Sequence, residues 1–277
     1  MAIISNVAKK AGIQTEPVAI VWSDTKPEHA LEIRPGTWAC LMWYYAKAVL
    51  DGKITALSRN AYGCVGGAIG IGFGRPFEHH SSGSEENFCC FLSNGREGCR
   101  DTKAYDARLE TLTNPHQKEM LRNGERIKKN PAVAKEFLNS LPDYDVSTEY
   151  VLFKPLSLTD PDETIKSVIF LANPDQISGL SILANYTHGQ ITNRVVVAAG
   201  ASGCQAFGVC TYDEETSENP RAVVGLTDLM ARKAVRRTLG SDKFTFSVPY
   251  KLFLEMEANA PGSILDSELW IELRDNS

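Results

Sequence analysis

Apolar residues at Trp38, Leu41, Met42, Tyr45 and Val49 recur at the spacing of one helix face, between Pro35-Gly36 and Asp51-Gly52. That stripe predicts an amphipathic helix, with Thr37 as its cap and the glycine as its stop. Ahead of it, Pro17-Val18-Ala19-Ile20-Val21-Trp22 is a compact run of strand formers bounded by Ser23-Asp24 and Pro27. Ile54 to Leu57 predicts another strand, and the short apolar run Phe88-Cys89-Cys90-Phe91-Leu92 reads as one too, closed by a turn at Asn94-Gly95. Residues 101–140 carry helical spacing, with Leu109, Leu112 and His116 on one face and a further helix from Pro131 to Leu141.

Pro142 to Ser147 reads as a linker, after which the logic repeats. Tyr150 to Phe153 and Val168 to Leu171 are strands, and Asn173-Pro174-Asp175 opens a helix carrying Ile177, Leu180 and Ala184. Ile191 to Ala199 reads as a buried strand on the strength of Val195-Val196-Val197, Asp213-Glu214-Glu215 with Glu218 as a solvated loop, and Leu226 to Leu239 as an amphipathic helix. Phe244 to Val248 alternates as a half-exposed strand. Gly52-Lys53-Ile54-Thr55 leading to Gly63-Cys64 is echoed by Gly189-Gln190-Ile191-Thr192 leading to Gly203-Cys204. The expected fold is therefore α/β or α+β, an internal duplication of two related strand-helix-strand halves, 1–145 and 146–277, whose glycine-cysteine corners converge.

Composition narrows the function classes. A net charge of −5 and the absence of a long apolar run argue against nucleic-acid and membrane partners. The first residues lack the pattern of a secretory leader, so a cytoplasmic protein is expected. Seven cysteines in a chain of 277 residues point to reduced thiols rather than staples.

Candidate chemistry centres on those thiols. Cys40 sits near the start of its helix, where backbone N–H groups and the helix dipole favour a thiolate. Cys64 and Cys204 each follow a glycine, which lets the backbone approach a ligand closely. Three thiolates suit an iron–sulfur cluster of the 4Fe-4S kind, with one iron left for another ligand. The spacings of 24 and 140 residues and the lack of any Cys-x-x-Cys carry little specificity by themselves. The run Gly63 to Gly74, with Gly63, Gly66 and Gly67 nearest Cys64, offers a second reading as a cradle for a small anionic ligand. It matches neither the Gly-Lys-Ser/Thr loop nor the dinucleotide fingerprint. A third reading makes Cys64 the nucleophile of a transferase, with His188 as the histidine nearest the second Gly-Cys corner in sequence. His79, His80, Cys89, Cys90 and Cys99 could form a zinc group, though a solvated histidine pair beside packed thiols fits their spacing better. Cys210 carries no separate argument.

The combination of Cys40, Ala46, Gly52, Gly63-Cys64-Val65-Gly66-Gly67-Ala68-Ile69-Gly70, Gly203-Cys204 and the opening Pro17-Val18-Ala19-Ile20 resembles the family called domain of unknown function 169. The resemblance spans most of the chain. It implies no established activity, but it does imply that Cys40, Cys64 and Cys204 act together, and it leaves Cys89, Cys90 and Cys99 outside the pattern. The expectation is a redox or cofactor-handling protein with a small-molecule substrate or an electron-transfer partner. A homo-oligomer is compatible with this reading.

Overall fold

The computed structural model describes residues 4–189 and 193–275. Gln190, Ile191 and Thr192 of the second echo lie outside the described residues. The chain folds as two compact units: one runs to Gly72 and resumes at Tyr144, and the other is Phe73–Asp143. The return point falls inside the segment read as a linker.

The first unit holds one sheet of eight strands: β1 (Val18–Ser23), β2 (Leu31–Glu32), β3 (Thr55–Ser58), β4 (Tyr150–Pro155), β5 (Thr164–Ala172), β6 (Val195–Val197), β7 (Ala222–Gly225) and β8 (Phe244–Pro249). Their order is β2-β3-β4-β1-β5-β8-β7-β6. The helices in chain order begin with α1 (Asn6–Lys10), α2 (Leu41–Asp51) and α3 (Val65–Ile71). The second unit carries α4 (Glu85–Leu92), α5 (Thr102–Thr111), α6 (Pro115–Asn123) and α7 (Pro131–Ser140). The first resumes with α8 (Pro174–Ala184), α9 (Gly203–Phe207), α10 (Val209–Glu215), α11 (Leu229–Leu239), α12 (Tyr250–Asn259) and α13 (Glu268–Asp275).

Alternate residues of the central strands serve opposite faces, as the pleat requires. Val21, Phe170, Phe246 and Val248 pack on one side with Val7, Leu180, Leu252, Phe253 and Trp270, which brings α1, α8, α12 and α13 onto that face. Each such side chain contributes about 1.5–3 kcal/mol when fully buried. On the other face Phe207 of α9 lies 5.6 Å from both Phe153 and Tyr45, ring to ring. Its carbonyl accepts the Ser167 hydroxyl at 3.0 Å. That second face carries the cysteine-bearing helices.

Two strands differ from their expected burial. Thr245 and Ser247 of β8 are buried rather than exposed, because α9 and α10 pack against that strand. The valine triplet of β6 is half-buried to exposed, since β6 is the sheet's edge and pairs only with β7. The acidic run belongs to α10 rather than a loop, and buried Glu214 accepts Arg221 Nε at 2.9 Å.

Strand order also shows a repeated pattern of pairing. β2-β3-β4-β1 and β6-β7-β8-β5 have the same order, and in each the successive pairs run parallel, antiparallel, antiparallel. The echo in the sequence does not follow that order. Cys64 comes just after β3, whereas Cys204 lies between β6 and β7, the place that Cys40 occupies between β2 and β3. Among the described residues, no helix is long and apolar enough to cross a membrane.

In the second unit, the run read as a strand is helix α4. Ser84 caps it by accepting the Asn87 N–H at 3.2 Å, and Glu85 and Glu86 sit in its positive first turn. Cys90 and Cys99 form a disulfide, with Cα atoms 5.6 Å apart, so not every cysteine is a thiol as expected. The short helical turn Gly95–Gly98 folds Cys99 back onto the end of α4.

Candidate thiol site

Each of the three singled-out cysteines stands at a helix start. Cys40 is itself the residue capping α2, while Thr37 closes a turn by donating its hydroxyl to the Arg34 carbonyl at 2.6 Å. Cys64 caps α3, and its Sγ accepts the Gly67 N–H at 3.3 Å. Cys204 is the second residue of α9, behind a capping box formed by Ser202 and Gln205. The corners expected between strand and loop are therefore corners between strand and helix. The glycine-rich run beyond Cys64 is helical from Val65 to Ile71, its ladder starting with the Ala68 N–H donated to the Cys64 carbonyl.

Glycines draw these three segments together. Gly63 has φ +80°, and a Cβ there would lie 2.4 Å from the Ala39 carbonyl oxygen, so the chain before Cys64 touches the chain before Cys40. A Cβ on Gly70 would fall 2.8 Å from both Cys204 C and Gln205 N, which sets α3 backbone to backbone against α9. Cys204 Sγ points at the Gly66 carbonyl, 4.0 Å away. Gly203 is wedged against Met42 Sδ of α2 and Ala231 Cβ of α11. Beyond its own helix, no atom lies within 4 Å of a Cβ built on Gly66, so α3 is open on that side.

The electrostatics are one-sided. Burial pushes the Cys204 thiol well above its ordinary value, and the charges of Cys64, Cys40 and Asp228 push it further, against a small opposing pull from the Ser202 hydroxyl. Cys40 is also raised, chiefly by burial, with the Met42 and Trp43 amides lowering it and Asp228 raising it. All the charged groups acting on these two thiols are acidic. A cation brought among them would relieve that mutual repulsion and release the protons.

Asp228 is the member that sequence reasoning missed. It caps α11, accepting Ala231 N–H at 2.7 Å through Oδ1 and Gly203 N–H at 2.7 Å through Oδ2. Burial raises its pKa, while those backbone donors lower it. The available signal was an aspartate immediately before an amphipathic helix, the usual signature of a cap. The same helix start exposes Leu229 and Met230, and Trp38 beside Cys40 is 63% exposed. Trp43 of α2 donates its ring N–H to the Ala234 carbonyl of α11 at 3.2 Å, which ties this apolar rim together.

The family model for domain of unknown function 169, described as uncharacterised ArCR, matches residues 6–259. The chain belongs to this family. No curated protein matches the chain, and no solved structure matches it. For this DUF169 member, among the described residues, no group of three or more His, Cys, Asp or Glu side chains forms the shell of a single metal ion. Cys89 is buried in α4 and Cys210 half-buried in α10, each thiol pushed up to about 11 chiefly by its loss of solvent. His188 is held by Thr187 Oγ1 at 3.1 Å and Arg194 Nη1 at 3.2 Å.

His80 does not behave as a solvated loop residue. Its Nδ1 accepts the Ser82 N–H at 3.0 Å, and its ring packs 4.7 Å from Phe88 and 5.0 Å from Phe91. Burial, helped by Arg108, lowers its pKa to about 4. The folded state thus favours the neutral ring, and its contribution is complete above an unfolded pKa near 6.5. It is lost as pH falls from there toward 4, amounting to about 3 kcal/mol. Urea unfolding at pH 7 and pH 4 should show His80→Phe with a shallower loss of stability than wild type. Equal losses would remove His80 from the acid response.

Proposed function

We propose that this DUF169 member is an iron–sulfur protein in which Cys40, Cys64 and Cys204 hold a four-iron cluster. The carrying observation is that close backbone contacts bring the three cysteine-bearing helix starts together: Gly63 against the Ala39 carbonyl, Gly70 against Cys204, and Cys204 Sγ 4.0 Å from the Gly66 carbonyl. Thiolates are the ligands such clusters require, and the iron charge offsets their repulsion. Each thiolate of a cubane binds a different iron, so its ligands stand farther apart than those around one ion. The absence of a single-ion shell is compatible with that arrangement. Helix starts at Cys40 and Cys64 add N–H groups that stabilise negative charge.

The apolar rim of Trp38, Leu229 and Met230 supports a redox or cofactor-handling role, with a substrate or electron partner meeting the cluster there. A thiol-dependent transferase with Cys64 as its nucleophile is the alternative reading. Anaerobic reconstitution with iron and sulfide should give brown protein with broad visible absorbance and about four irons per chain. Colourless protein that retains no iron would reject the cluster.

A further inference from the structure

The proposed cluster has three cysteines and four irons. By strand order, the residue that corresponds to Cys64, just after β3 at the cap of α3, is the residue just after β7 at the cap of α11. That residue is Asp228. The site thus has four helix starts: Cys40 before α2 matched by Cys204 at α9, and Cys64 before α3 matched by Asp228 before α11.

From this placement we propose that Asp228 is the fourth ligand, binding through a carboxylate oxygen the iron that no cysteine holds. The inference rests on the cluster reading above. Geometry supports it from two sides. Asp228 Oδ2 takes the N–H of Gly203, the residue next to Cys204, which ties the carboxylate to the start of α9. Gly203 also touches Ala231 of α11 and Met42 of α2, so Asp228 and Cys40 are drawn to the same spot. Each carboxylate oxygen accepts one backbone N–H and retains a second lone pair, enough for a metal bond. A hard oxygen ligand among three soft thiolates would make one iron chemically unlike the other three.

The test uses full-length reconstituted protein enriched in iron-57. Mössbauer spectra of wild type should show three similar irons and one distinct iron. Asp228→Cys should keep four irons and make the odd iron resemble the others. Asp228→Asn should lose one iron on air exposure at least ~10-fold faster than wild type, by analogy with the 10–100-fold cost of altered metal surroundings. An odd-iron signal unchanged in both variants would overturn the assignment. A variant that melts far below wild type is replaced by a readout needing no mutation. After one-electron reduction with dithionite, the wild-type electron paramagnetic resonance line in oxygen-17 water should stay sharp if the carboxylate fills the position, and broadening would show water there instead. Wild type that binds no iron at all would reject the cluster reading itself, a result distinct from failure of Asp228 alone.

Discussion

Cys64→Ser and Cys204→Ser proteins, reconstituted beside wild type, should retain at least ~10-fold less iron, whereas Cys210→Ser retains it in full. The contrast follows from place, not residue type. Cys204 and Cys210 are six residues apart and burial raises both thiols, yet the charges that raise Cys204 further include Cys64 and Cys40, while those at Cys210 are Asp213 and Glu214. Removing a direct ligand costs more than the ~10–100-fold typical of disturbing its surroundings. Serine keeps the size of cysteine, and Cys64→Ser can still accept the Gly67 N–H as a helix cap, so the fold should survive. Iron and sulfide analysis with a melting curve on each variant checks both points. Equal iron in the Cys64, Cys204 and Cys210 variants would remove the three-thiol site.

How much of this was legible beforehand depends on the range of each signal. Helix α2 and strands β1, β3, β4 and β5 declare themselves locally, through a periodic face or a short β-rich run. Helix α3 does not, because Val65-Gly66-Gly67-Ala68-Ile69-Gly70-Ile71 contains three glycines, each weakening a helix by about 0.5–1 kcal/mol relative to alanine. Tertiary packing overrides that propensity, since the glycines are what let α3 reach α9. Helix α4 was misread because five consecutive apolar residues fit a strand or a buried helix equally well, and the deciding cap at Ser84 lies outside the run. The approach of the segments that bear Cys40, Cys64 and Cys204 is set by strand order across the whole chain, which no local pattern carries; the Gly-Cys echo and the family resemblance pointed to it. Asp228 escaped because its role comes from strand order as well, and an N-capping aspartate looks like any other.

Gly208→Ala should be the most damaging small substitution in the first unit, lowering stability by about 3 kcal/mol or more and Tm by on the order of 10 °C. A Cβ there would lie 1.9 Å from the Gly70 carbonyl oxygen and 2.8 Å from that of Cys204. Both are backbone atoms, so no side chain can swing aside; α3 and α9 must separate. Those helices carry Cys64 and Cys204, and their separation would pull the two sulfurs apart, so the variant should lose iron as well as stability. Gly66→Ala supplies the contrast within the same segment. It places its Cβ in open space with no atom within 4 Å, and should gain about 0.5–1 kcal/mol from better helix propensity. Thermal melts with iron analysis on the pair would separate close helix contact from glycine content as the reason this run is glycine-rich. A Gly208→Ala protein that melts with wild type and keeps its iron would mean that the two helices do not rely on backbone contact to hold the thiols together.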